Sequence, residues 1–339
     1  MKILGIETSC DETACAIIED GTKIISNVVA SSALIQAKFG GVIPERAARE
    51  QIKSMIPVLE EAMTPLRQDH DEIEAIAVTI GPGLIGSLLV GIETARVLSY
   101  LWEKPVIPVN HLVGHIYANF LETYKNPEFP ILVLVVSGGH TDLVWMGNHG
   151  KIKWIGGTRD DAAGEAFDKC ARLLGLSYPG GPSISKEALK NKSKSKLDLF
   201  PRPMINEQNY DWSFSGLKTA VAREIQKCSP SELKLRRVEF AAQIQEAIVD
   251  SLVIKTVRAI EDLKPKSFLL AGGVAANQRL KEKFSEKISK LENVEFFVPE
   301  PSLCTDNAAY IASAAYFNNK KVDWRKINAI PELTITSEI

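Results

Sequence analysis

Two stretches of this sequence share one outline. In the first, an apolar run over residues 3–6 enters a polar turn at 7–13 and leaves into a second run at 14–18. In the other, residues 131–136 enter Ser137-Gly138-Gly139-His140-Thr141 and leave into 143–146. Each pair is followed by a third strand-like run, around 24–30 and around 152–155. Helical and strand patterns then alternate. Residues 44–63 carry apolar side chains at Ala48, Ile52, Met55, Ile56 and Leu59, at helical spacing. A strand at 73–78, a helix at 84–101 and a strand at 106–109 follow. The second series closes with a helix at 238–263, a strand at 267–271, a helix at 277–288, a strand at 294–298 and a helix at 307–317. Strands alternating with helices call for an α/β sheet covered on both faces. The repeated outline predicts a duplicated unit, with the proline-bearing segment 126–130 as its junction.

Composition narrows the functional classes. A chain of 339 residues favours two domains over one. Forty Lys and Arg against 42 Asp and Glu, a net charge of −2, exclude a broad basic surface for gripping nucleic acid but leave room for a local patch. Five scattered cysteines, an odd number, fit a reducing cytoplasm better than a disulfide framework. No address or anchor is expected. Glu7 arrives too early for a signal-peptide core, and Gly81-Pro82-Gly83 breaks the uncharged stretch 75–92 into a strand, a turn and a helix.

Several short motifs carry chemistry. The paired glycines of Ser137-Gly138-Gly139-His140 leave backbone N–H groups open to an anion, although glycine turns are also common in plain hairpins. The turn at 7–13 has hydroxyls and the carboxylates Asp11 and Glu12 instead. Ala271-Gly272-Gly273-Val274-Ala275-Ala276-Asn277 follows a strand and opens a helix, where a ligand can rest against the helix start. It lacks the dinucleotide fingerprint, so hydride transfer is not supported. His111 and His115 stand four apart after a strand, with Asn110 placed to cap their helix. That spacing puts both imidazoles on one face, as for two metal ligands. A zincin is excluded because Leu112 stands where its glutamate base belongs. Asp306, at a helix start, is a candidate third ligand or equally an N-cap. Trp212 and Phe214 read as core aromatics, and the Lys/Ser alternation over 186–196 reads as a solvated loop or frayed helix end.

Taken together, GIETSCDETACAI from Gly5, GPGLIGSLLVG from Gly81, HLVGH from His111, VSGGHTDL from Val136, DDAAGEAFDKCARLLGLSYPGGP from Asp160, SFSGLKTAV from Ser213, AGGVAANQRL from Ala271 and CTDNAA from Cys304 resemble the TsaD family of tRNA N6-adenosine threonylcarbamoyltransferases, formerly labelled O-sialoglycoprotein endopeptidases. The resemblance covers nearly the whole chain. It implies an α/β fold of two ribonuclease-H-like lobes, the actin-like ATPase superfold, around a nucleotide cleft. The lobes would comprise residues 1–128 with 300–339, and 129–299. It implies that His111, His115 and Asp306 hold one divalent metal ion, Fe2+ ahead of Zn2+. Val136, Ser137, Gly138, Gly139, His140, Asp168, Gly181 and Asn277 would contact the threonylcarbamoyl-adenylate or nucleotide, and Asp11 matches a position important for catalysis.

The implied reaction transfers the threonylcarbamoyl group of L-threonylcarbamoyl-AMP to the N6 amine of the adenosine 3′ to the anticodon in tRNAs reading ANN codons, releasing AMP. The implied partners are tRNA, an inactive TsaB-like paralogue that dimerises with the chain, and a TsaE-like P-loop ATPase, with no membrane involved. The Gly-rich helix after Gly83, and Leu88 within it, is the segment expected to meet the paralogue, a core helix being the alternative. Gln51 and Asn110 stand where relatives often have His, and little consequence is expected of either. Competing readings are an ATPase or kinase on the same superfold without a tRNA substrate, and a catalytically weak scaffold that assembles a complex.

Overall fold

The computed structural model describes residues 1–192 and 197–337. Ten strands and eleven α-helices are found among the described residues. The first series runs β1 (Lys2–Glu7), β2 (Glu12–Glu19), β3 (Lys23–Ser31), α1 (Ala33–Ala37), α2 (Pro44–Met63), β4 (Ala75–Gly81), α3 (Ile85–Trp102), β5 (Val106–Asn110) and α4 (His111–Tyr117). The second runs β6 (Ile131–Val136), β7 (Thr141–Asn148), β8 (Lys151–Gly157), α5 (Ala163–Leu173), α6 (Gly180–Ala188), α7 (Ser215–Gln226), α8 (Pro230–Leu263), β9 (Ser267–Ala271), α9 (Gln278–Ile288) and β10 (Glu295–Phe297). α10 (Pro301–Cys304) and α11 (Ala309–Asn318) close the described helices.

Two five-stranded sheets result, β3-β2-β1-β4-β5 and β8-β7-β6-β9-β10. The order is the same in both once each is counted from its own first strand. In the first sheet β1 pairs antiparallel with β2 and parallel with β4, and in the second β6 does the same with β7 and β9. A hairpin followed by parallel crossovers is what the duplicated sequence outline predicts.

The chain divides into two compact units. The first comprises Met1–Pro127, Gly147–Ile152 and Pro299–Ile339, and the second Glu128–Met146 and Lys153–Val298. The tip of the β7–β8 hairpin therefore groups with the first unit.

In the first unit, side chains alternate across β1. Leu4 and Ile6 join Cys15, Ile17, Met55, Val58, Leu59, Leu88, Ile92 and Leu98 in one core under α2 and α3. Gly5 faces the opposite side, where a Cβ would stand 2.3 Å from the Ala308 carbonyl oxygen. That approach lets the Ala-rich α11, buried from Ala309 to Ala315, lie against the sheet. Each Leu or Ile buried this way contributes about 1.5–3 kcal/mol.

Three expectations change. Helix α2 has the predicted limits but a different inner face: Ile52 and Ile56 are 65% and 57% exposed, while Ala47, Gln51, Met55, Val58, Leu59 and Ala62 face inward. Leu88 is 0% exposed, so α3 turns it into the core rather than outward. Helix α8 begins at Pro230, earlier than expected, because Ser229 and Glu232 form a capping box ahead of it. Helices α5 and α6 add to the expected elements, and α5 buries Ala163, Ala166, Phe167, Cys170 and Ala171 along one face. Trp212 and Phe214 are core residues as expected, and the Trp212 indole donates to the Ser251 carbonyl at 2.9 Å. Lys186 lies in α6, and residues 193–196 of the Lys/Ser stretch fall outside the described residues.

Candidate metal centre and anion loop

β5 delivers the chain to α4, and Asn110 Oδ1 accepts from the amides of Leu112 and Val113 at 2.9 and 3.4 Å. The cap starts the helix at His111, so His115 follows one turn later with ring centroids 4.6 Å apart. Asp306 arrives from a segment far along the chain. Its Oδ1 lies 3.3 Å from His115 Nε2 and 3.6 Å from His111 Nε2. The capping role left open for Asp306 falls to its neighbour: Asn307 Oδ1 accepts from the amides of Ala309 and Tyr310 at 3.1 and 3.3 Å. One ligand atom from each of His111, His115 and Asp306 lies within 4.8 Å of the others.

These residues fit a metal ion. Both ring nitrogens of His115 are buried without a hydrogen-bond partner, a costly condition for a polar group unless something else satisfies it. The surrounding charge is negative. Burial alone pushes the His111 imidazole down, but the Glu7 and Asp306 carboxylates outweigh it and hold it up to about 9. Burial lowers His115 further than Asp306 raises it, which keeps that ring neutral as a ligand must be. Although burial alone would raise it, the Asp306 carboxyl is held well below the usual carboxylate range by His111 and His115. Glu12 is pushed up to about 10 by burial, then by the charges of Asp306 and Asp11. A site that welcomes a cationic imidazole and crowds carboxylates is electrostatically prepared for a cation.

The turn carrying Asp11 is strapped in place. Gln51 Nε2 lies 3.2, 3.1 and 2.9 Å from the carbonyl oxygens of Thr8, Cys10 and Glu12. The Ser87 hydroxyl donates to the Cys10 carbonyl at 3.0 Å, and the Ser32 amide and hydroxyl both donate to the Asp11 carbonyl at 3.0 Å. Gln51 was expected to matter little; it is a buried clamp on this turn. Glu7, at the start of the turn, is fully buried and meets His111 Nδ1 at 2.9 Å. The motifs did not point to Glu7 or to Tyr310, whose hydroxyl lies 3.4 Å from Asp306 Oδ1. A signal existed for Glu7: strand alternation puts it on the same sheet face as Gly5.

In the second unit, the β6–β7 turn closes on itself. The Ser137 amide donates to the His140 carbonyl at 2.9 Å, and the His140 amide to the Ser137 hydroxyl at 3.2 Å. A Cβ at Gly138 or Gly139 would meet nothing within 4 Å, so local packing does not demand these glycines. Gly272, at φ +89°, passes so near Val136 that a Cβ would stand 2.4 Å from its carbonyl oxygen. Asp168 Oδ1 accepts from the Gly180 amide at 2.6 Å, which places it beside Gly181 at the start of α6. Burial raises the Asp168 carboxyl above its ordinary value. Asn277 caps α9 through Leu280 and donates to Ser185 Oγ at 3.0 Å, joining α9 to α6. Val136, Ser137 to His140, Asp168, Gly181 and Asn277 thus all belong to one unit. Asp11, His111, His115 and Asp306 belong to the other.

The fold defines the class. The chain resembles full-length HypF in its phosphate- and nucleotide-bound form, with a TM-score of 0.62 at 13% identity over 94% of this chain and 46% of that one. It also resembles component A of the (R)-2-hydroxyglutaryl-CoA dehydratase of Acidaminococcus fermentans, with a TM-score of 0.53 at 15% identity over 93% and 98%. These are actin-like ATPase-fold proteins, and the present fold is of that class. At the level of sequence, the profile of the family TsaD, tRNA N6-adenosine threonylcarbamoyltransferase, matches residues 23–313. The Bacillus cereus protein of that name is 48% identical over 336 residues, 98% of this chain and 96% of its own. The one from Dehalococcoides mccartyi is 49% identical over 342 residues, 99% and 100%. The chain belongs to the TsaD family of tRNA N6-adenosine threonylcarbamoyltransferases.

Proposed function

We propose that this chain transfers the threonylcarbamoyl group of L-threonylcarbamoyl-AMP to the N6 amine of the adenosine 3′ to the anticodon in tRNAs reading ANN codons, with release of AMP. Identity of 48–49% over nearly the full length of relatives carrying that activity in their name is the observation that carries it. In the reaction the amine nitrogen bonds to the carbamoyl carbon, the carbon–oxygen bond to the phosphate breaks, and one proton leaves the amine. The amine is a weak nucleophile, so most of the work lies in stabilising charge on the acyl group and the departing phosphate.

Asp11 would accept the proton or position the amine, on a turn fixed by Gln51, Ser32 and Ser87. The turn Ser137-Gly138-Gly139-His140 would hold the departing phosphate through backbone N–H groups, with Val136, Asp168, Gly181 and Asn277 around the nucleotide. His111, His115 and Asp306 would hold one divalent ion, Fe2+ ahead of Zn2+, a nitrogen-and-oxygen donor set suited to either. When bound, such an ion supplies Lewis acidity toward the carbonyl or phosphate.

The reading extends to tRNA, a TsaB-like paralogue and a TsaE-like P-loop ATPase as partners, in the cytoplasm. Among the described residues no helix is long and apolar enough to cross a membrane. Ile52 and Ile56 on α2, and Ile85 and Leu89 on α3, are among the exposed apolar residues that could meet the paralogue in place of Leu88.

The test is single-turnover reaction of tRNA with threonylcarbamoyl-AMP and the partner proteins, followed by mass analysis of the nucleosides. Wild type forms threonylcarbamoyladenosine. Asp11→Ala binds the adenylate normally yet forms no product; normal turnover by that variant would remove Asp11 from the chemistry.

A further inference from the structure

Glu7 ends β1 and is fully buried, although a carboxylate out of water needs hydrogen bonds or a counter-charge. Among the described residues no lysine or arginine pairs with it. Its Oε1 accepts from the Ser9 amide, and its Oε2 from the Thr79 hydroxyl at 2.6 Å. The same Oε2 lies 2.9 Å from His111 Nδ1, while Nε2 of that ring faces Asp306. The carboxylate is therefore fixed by two donors from its own strand end and from β4, and it presents its remaining capacity to one side of one imidazole.

We infer that Glu7 is a positioning residue for the metal centre: it accepts the Nδ1–H proton of His111 and so fixes the tautomer whose Nε2 lone pair points toward Asp306 and His115. The inference rests on the proposed metal site and adds to it the residue that orients its first ligand. A neutral imidazole carries its single proton on either nitrogen, and only the Nδ1–H form leaves Nε2 free. Ser9 Oγ, 3.2 Å from Nδ1, could act as acceptor too, but a hydroxyl can also donate and so does not fix the tautomer. A carboxylate can only accept, and outer partners of this kind raise metal affinity about 10–100-fold. The position of Glu7 follows from the fold, since strand alternation turns residue 7 toward the face on which α4 is laid.

The experiment uses the full chain stripped with a chelator and titrated with Zn2+ against a chromophoric competitor. Wild type, Glu7→Gln and His115→Ala are compared, and the zinc-loaded wild type is examined by 15N-imidazole NMR. Glu7→Gln should bind Zn2+ about 10–100-fold more weakly than wild type. The wild-type spectrum should show the His111 proton on Nδ1, strongly hydrogen-bonded. If His115→Ala binds as well as wild type, the metal site itself falls and Glu7 with it. If His115→Ala is impaired while Glu7→Gln binds normally, only the role of Glu7 is overturned. Should Glu7→Gln fail to fold, the wild-type spectrum decides: an unprotonated Nδ1 on His111 refutes the inference.

Discussion

Between the two histidines of α4 stands Gly114, and a Cβ there would lie 2.7 Å from Ile311 Cδ1 and 2.8 Å from Tyr310 Cδ2. The glycine allows α4 to rest on α11, the helix that follows Asp306. Gly114→Ala should cost about 1–3 kcal/mol of stability by overpacking. It should also weaken Zn2+ binding without altering any ligand, because the helices must part. Thermal melting and chelator competition on the same sample check both effects; an unchanged affinity would contradict the close approach. At this scale much was legible. The i,i+4 spacing of His111 and His115 marked one helix face, which with Asp306 makes a group that could hold an ion, and Asn110 marked the cap. The choice between ligand and cap at Asp306 was not legible, because Asp306 and Asn307 are adjacent and either can cap a helix. Only the backbone path gives the amides of Ala309 and Tyr310 to Asn307.

Helix α2 shows what sequence periodicity conveys and what it omits. Its limits, 44–63, agree with the structure, yet the apolar stripe chosen from the sequence lies partly on the outside. A hydrophobicity pattern assumes that polar residues face water, whereas Gln51 faces inward to serve three carbonyls of the Asp11 turn. Gln51→Leu should remove that donor and cost about 1–3 kcal/mol, the penalty for buried acceptors left without partners. Amide exchange in residues 8–13 should accelerate in the same variant, and unchanged exchange would show that the turn holds itself. The displaced stripe also moves the expected paralogue contact. Leu88→Glu should unfold the chain by burying a charge. Ile56→Glu and Leu89→Glu should melt as wild type but fail to form the heterodimer in light scattering. A stable heterodimer from both exposed variants would place that contact elsewhere.

For the molecule as a whole, the repeated sheet order was readable from two strand-turn-strand outlines, because each half carries its own hairpin and crossover pattern. The ion pairs that brace the second unit were not, since they join segments distant in sequence. Glu246 on α8 meets Arg279 at 2.8 Å and also Lys283, while Asp250 meets Lys283 and, at 2.6 Å, Arg202. Burial would raise the Glu246 carboxyl, but Arg279 and Lys283 hold it down to about 2. A carboxyl lowered in the folded state stabilises above its unfolded value near 4.5 and loses that contribution as pH falls toward about 2. The Tm of wild type should therefore fall between those limits, and Glu246→Gln should start lower and lose less over the same window. Equal acid sensitivity in both would assign the loss to other carboxylates. The even charge balance makes a related prediction. The chain alone should bind tRNA weakly, with affinity dropping at least about tenfold from low to physiological salt, as phosphate contacts do. Fluorescence anisotropy with labelled tRNA tests this, and tight salt-insensitive binding would refute it.

The first compact unit is discontinuous: it needs residues before 128 and residues after 298. During synthesis, domains usually fold as they leave the ribosome, earliest sequence first. Here the strands β1 to β5 and both histidines emerge well before α11, the helix that covers one face of their sheet, and before Asp306. The second unit, drawn from residues 128–298 apart from the short hairpin tip, can complete its core first. The nascent chain thus reverses the usual order, and its early portion waits with an uncovered sheet. Any cation delivered during translation would find two imidazoles and no carboxylate from position 306, so loading of the proposed centre would wait until Asp306 has emerged.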